Sequence, residues 1–183
     1  MKLVNYAMHD EPLLRSAVTA FLSFLLEVKP RMAQLQLAPS VGSSEPFFLH
    51  LFKGGLIFET LLKQSAPGKS LKARGSKCML GELLTDAAVC AGLGFSGPLS
   101  RLGVETFDDV VAHVNAEASS GRAFNECAVR AVWGLRNTTG HNLAWPKRPT
   151  NADYQMLFGL AFGALMLVIE RLYPERRLSD GTA

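Results

Sequence analysis

Apolar residues recur at spacings of three and four along nearly the whole chain, and alternating runs of Val, Ile and Thr are absent. That spacing lines one face of a helix and cannot line one face of a strand, so the chain is confined to helical packings. A first helix is expected from Asp10, an N-cap followed by Glu11 and Pro12. Its stripe includes Leu14, Val18, Phe21, Leu22 and Leu25, and Pro30 is expected to bend or end it. Residues 38–46 read as a loop whose Ser44 caps a second helix, "FFLHLFKGGLIFETLLKQ". Each glycine of the Gly54-Gly55 pair weakens that helix by about 1 kcal/mol, which close approach of another backbone would justify. The stretch "SAPGKSLKARGSK" reads as a loop, and helices are expected over about 78–92, over 107–118 behind the Thr106 cap, from Arg122 to Arg136 and from Asn151 to Tyr173. The expected fold is an all-α bundle of five to six helices, one domain over 1–183. Residues 1–44 form its N-terminal helix and loop, and 174–183 form a loose tail.

A chain of 183 residues, 48% of them apolar, can bury a sizeable core. The net charge of +3 is compatible with a nucleic-acid partner without requiring one. Cys78, Cys90 and Cys127 are odd in number, far apart and set among apolar neighbours, the pattern of buried free thiols in a reducing compartment. No CxxC pair suggests zinc, and no cofactor or metal is expected. The start of the chain lacks the apolar run of a signal peptide. The longest apolar run, residues 156–169, is shorter than the roughly 20 residues that a membrane-spanning helix needs. The expectation is a cytoplasmic protein with no membrane partner.

The segment "VWGLRNTTGHNLAWP", residues 132–146, carries the chemistry. On an unbroken helix Arg136 and His141 would stand about 140° apart around the axis. Thr138 and Thr139 are poor helix formers, Gly140 suits a C-terminal cap, and Pro146 and Pro149 oppose a restart. The helix is therefore expected to stop near Arg136, with His141 on a loop folding back over it. An imidazole titrates near neutral pH and can move a proton at a 2′-hydroxyl or a leaving oxygen. A guanidinium stays charged and can clamp a phosphate in bidentate fashion. Asn137 can orient the histidine or hydrogen-bond a ligand.

Arg136-Asn137-Thr138-Thr139-Gly140-His141 resembles the R-x(4–6)-H motif of HEPN domains, with the polar residue that often follows the arginine. The order of helices over about 45–173 is similar too, and the motif match is sharpest over 133–145. The resemblance implies a metal-independent endoribonuclease acting on single-stranded RNA, with catalytic residues Arg136, His141 and Asn137. It implies a homodimer whose two motifs face one cleft, where the RNA's own 2′-hydroxyl attacks and leaves a cyclic phosphate. It implies a setting in toxin–antitoxin, phage-defence or CRISPR-linked systems, with an antitoxin or a sensor domain as partner. The alternative is a non-catalytic HEPN-like module that dimerises or binds RNA or protein. A third reading, from another class, is a helical regulator holding a small ligand in its apolar core.

Lys63, Lys69, Lys72, Arg74 and Lys77 form a basic run without an acid, suited to tracking an RNA backbone. Arg130, Lys147 and Arg148 are expected to extend that surface to the motif, with Glu105, Asp108, Asp109 and Glu117 turned away. "PGKS" at 67–70 imitates a phosphate-binding loop but lacks its first glycine, replaced by Lys63, and a preceding strand. His9, His50 and His113 are expected at a surface or interface, Trp133 in packing with Val129 and Val132, and Cys127 away from the site. Gly159 and Gly163 offer a face where another helix can approach closely.

Overall fold

The computed structural model describes residues 12–37, 44–141 and 149–173, and at 140–141 it describes the helix backbone. The described residues form eight helices and no strand: α1 (Pro12–Leu37), α2 (Glu45–Gln64), α3 (Ala66–Ala73), α4 (Leu80–Thr85), α5 (Ala87–Leu93), α6 (Phe107–Ser119), α7 (Phe124–His141) and α8 (Asn151–Leu172). The all-α class holds, and the count is higher than five or six for a local reason. The expected loop after α2 is itself the short helix α3, because Ser65 caps it by accepting from the Gly68 N–H. The single helix expected over 78–92 is two, divided at Asp86. The Asp86 carboxylate accepts from the Ala88 and Val89 N–H groups and starts α5 afresh. The expected start at Asp10 and the tail 174–183 lie outside the described residues.

α2 is the central helix. It packs against α1, α7 and α8, while α7 also packs against α6 and α8. Phe47, Phe48, Leu51, Phe58, Leu61 and Leu62 of α2 are fully or almost fully buried. Each such side chain contributes roughly 1.5–3 kcal/mol through its removal from water. Pro30 does not end α1, which continues to Leu37 with the proline inside it. A proline deprives the carbonyl one turn back of its donor. Here that residue is Leu26, which is 78% exposed, so water can serve in its place. Ser44 precedes α2, but its side chain makes no capping bond, and its carbonyl accepts from Phe47 N–H instead. Thr106 does cap α6, in a reciprocal pair with Asp109.

The glycine pair in α2 serves close approach on two sides. A Cβ on Gly54 would come within 2.9 Å of the Phe24 ring of α1. A Cβ on Gly55 would come within 2.9 Å of the Arg136 Cβ on α7. In α8, Gly163 receives the Phe124 ring in the same manner, whereas Gly159 faces open space. α8 is long and apolar enough to cross a bilayer by length and composition, more than its apolar run alone suggests, and 50% of that stretch is buried inside the bundle.

His50 is not at the surface. It is buried on α2 and bridges three helices, with Nε2 2.7 Å from the Phe24 carbonyl and Nδ1 2.6 Å from the Tyr154 hydroxyl. A carbonyl only accepts, so Nε2 carries the hydrogen and Nδ1 accepts from Tyr154. Its ring stacks on Phe24 at a centroid distance of 4.5 Å. Burial lowers the His50 pKa below its ordinary 6.5, against the opposing pull of the Phe24 carbonyl.

Three outcomes follow from this packing. Gly159→Ala should stabilise the protein by about 0.5–1 kcal/mol, since it gains helix propensity in open space. Gly55→Ala gains the same propensity but forces α7 outward, and should lose about 1 kcal/mol net in urea unfolding. A folded-state pKa below the unfolded one means that the unfolded chain binds the proton first. Stability should therefore fall as pH drops below about 6.5, and the fall should be smaller in His50→Phe, which has no imidazole to protonate.

Candidate functional site

The helix that carries the motif does not stop at Arg136. α7 runs unbroken to His141. The two threonines expected to end it are buried, and their hydroxyls turn back on the helix. Thr138 Oγ1 donates to the Gly134 carbonyl at 3.0 Å, and Thr139 Oγ1 donates to the Leu135 carbonyl. Such back-bonding keeps the hydroxyls on the helix and weakens it only slightly, so it does not end it. Arg136 and His141 therefore occupy register positions about 140° apart on one helix. The fold-back of His141 over Arg136 within one chain does not occur.

Arg136 is placed by α2. Gly55 lets the two helices approach, and one turn further along α2 stands Glu59, whose side chain is only 8% exposed. Arg136 Nε donates to Glu59 Oε2 at 2.8 Å. The other carboxylate oxygen, Oε1, accepts from Lys63 Nζ at 2.6 Å. Two cations thus share one buried carboxylate and leave a local net charge of +1. Arg136 is 28% exposed and Lys63 38%, so both reach solvent from a buried anchor. The terminal guanidinium nitrogens of Arg136 make no bond to any described residue. They are the edge that can clamp a phosphate. Asn137, next along α7, is half-buried.

Glu59 is the residue that sequence reasoning missed. It lies 77 positions from Arg136, inside an apolar stretch, and nothing local marks it. The available hint was a carboxylate on the same helix as a glycine pair that invites another helix.

Arg130 does not belong to a basic surface. It lies six positions before Arg136, about 120° away around α7, and faces α6. Its side chain is 9% exposed and stands 3.1 Å from buried Glu117, with Ser100 Oγ accepting from it at 3.1 Å. His113 and Arg122 approach the same Glu117 oxygen at 3.1 and 3.2 Å. These approaches are close in distance but poor in angle, so the two arginines hold Glu117 by charge rather than by hydrogen bonds. Glu117 is correspondingly drawn inward by its cations rather than displayed on an acidic outer face. Cys127 is buried beside this cluster, and burial together with Glu117 raises its pKa, which opposes a nucleophilic role.

Lys69 and Lys72 are exposed on α3, and Lys77 is exposed beyond it. Arg74 is exposed and paired with Asp86 at 2.8 Å. Trp133 is buried, near Gly81 across the core, and is a packing residue. All three cysteines are buried and free. His9, Trp145, Lys147 and Arg148 lie outside the described residues.

No protein-family model, no curated protein and no solved structure matches the chain.

Proposed function

We propose that this chain is a metal-independent endoribonuclease of HEPN-like type, cleaving single-stranded RNA at a site shared between two copies. One observation carries the reading: Arg136 is held at Nε by a buried carboxylate, with its terminal nitrogens bonded to no described residue, five residues before His141 on one helix. A guanidinium fixed at one edge is pre-organised to stabilise charge on a phosphate at the other. In the reaction the RNA 2′-oxygen forms a bond to phosphorus, the bond to the 5′-oxygen breaks, and a 2′,3′-cyclic phosphate remains. A proton leaves the 2′-hydroxyl and one reaches the departing 5′-oxygen, and His141 serves that transfer. Asn137, beside Arg136, supports the orientation of RNA or imidazole.

Helix continuity supports the two-copy form. Residues about 140° apart on one helix do not converge on one phosphate. In a twofold dimer with the α7 ends facing each other, Arg136 of one copy can meet His141 of the other. The same activity suits a cytoplasmic toxin or defence protein restrained by an antitoxin or a sensor domain. The rival reading, a non-catalytic dimerising or binding module, is favoured by the Glu59–Arg136 pair itself, since an ion pair joining α2 to α7 also has a structural use.

Labelled single-stranded RNA incubated with the protein in excess EDTA separates the two. Wild type should cut to cyclic-phosphate ends, and His141→Ala and Arg136→Ala should each lose at least about 100-fold in rate. Co-expressed Arg136→Ala and His141→Ala chains should regain about a quarter of wild-type activity, because half the dimers are mixed and each mixed dimer keeps one intact pair. Folded dimers that never cut would favour the binding module. Cutting without recovery in mixed dimers would place Arg136 and His141 of one copy in the same site.

A further inference from the structure

The carboxylate that holds Arg136 holds a second cation in the same grasp. Lys63 stands on the last turn of α2, on the helix itself rather than in the basic run that follows it. Its ammonium and the Arg136 guanidinium sit on the two oxygens of Glu59, at 2.6 and 2.8 Å. Glu59 neutralises one of the two positive charges. Its burial makes it an anchor while the cations face water, so an anion arriving from solvent meets the cations first. Lys63 pairs with Glu59 through one ammonium hydrogen, and an ammonium has three donors.

We propose that Lys63 is a second phosphate-binding residue of the site, set beside Arg136 by their shared carboxylate. Its ligand is the phosphodiester backbone of single-stranded RNA. Glu59 is then a positioning residue for two cations, and the pair can engage one phosphate or two adjacent ones. The inference rests on the RNA reading above but not on catalysis. It also separates Lys63, half-buried on α2, from the exposed Lys69, Lys72 and Lys77.

The test measures affinity for a labelled single-stranded RNA of mixed sequence over a range of salt, in EDTA. Every protein carries His141→Ala so that the probe survives. A phosphate contact made by a lysine contributes about 0.7 to the slope of log affinity against log salt on a single strand. Lys63→Met should therefore bind more weakly and flatten the slope by about that amount, and Lys63→Arg should restore it. A purely structural lysine would alter unfolding without altering the slope. An unchanged slope in folded Lys63→Met, or no RNA binding at any salt, overturns the proposal. Should wild type fail to cut RNA while the slope still responds to Lys63, the phosphate site stands and only the catalytic reading fails. Should cutting depend on His141 while the slope ignores Lys63, the reverse holds.

Discussion

A buried carboxylate on the central helix sets the terms for everything around it. An unpaired charge buried inside the bundle is costly, and Glu59 is buried with two cationic partners. Its partners come from both available directions, Lys63 from its own helix and Arg136 from α7. The second partner requires that α7 lie close, and Gly55 permits it by presenting no side chain where the Arg136 Cβ stands. The motif's arginine is thus placed by a glycine and a glutamate on another helix rather than by its own neighbours. The same geometry leaves the guanidinium part-exposed with its outer nitrogens bonded to no described residue, the arrangement on which the proposed phosphate contact relies.

The rest of the bundle follows similar logic around α2. On the α1 and α8 side the polar group is neutral, His50 wedged between the Phe24 carbonyl and the Tyr154 hydroxyl. On the α6 and α7 side it is Glu117 among His113, Arg122 and Arg130. Glu59, His50 and Glu117 each have at least one partner from a different helix, which fixes the register of the helices more sharply than apolar contacts alone. Arg130 and Arg136 show how one helix divides its cations. About 120° apart on α7, the first is spent inside the fold and the second remains at its edge.

Features that depend on local sequence were readable in advance. The helical class follows from apolar spacing, the α6 start from Thr106 and Asp109, the close approach at Gly54-Gly55 from the glycines, and the burial of Trp133 from its valine neighbours. Errors arose where a distant partner decided the outcome. Arg130 looked like surface until Glu117 arrived from α6, and His50 looked like surface until α1 and α8 closed over it. The end of α7 was misjudged for another reason. Thr138 and Thr139 have low helix propensity on average, but here they are buried and bonded to carbonyls one turn back, so the helix proceeds. The unbroken helix matters for function, because it removes the fold-back within one chain and leaves only the cleft shared by two copies that the resemblance already implied. The likeness of the Arg136–His141 motif to HEPN domains rests on those residues and on the helical order around them.

The most direct test of this account is a double-mutant cycle on unfolding free energy with Glu59→Ala, Arg136→Ala and the double variant, each measured by urea denaturation. If Glu59 anchors Arg136 across the α2–α7 contact, the two losses should fail to add, with a favourable coupling of about 1–2 kcal/mol. Additive losses, with coupling near zero, would mean that the carboxylate does not hold the guanidinium, and the frame proposed for the site would fall with it.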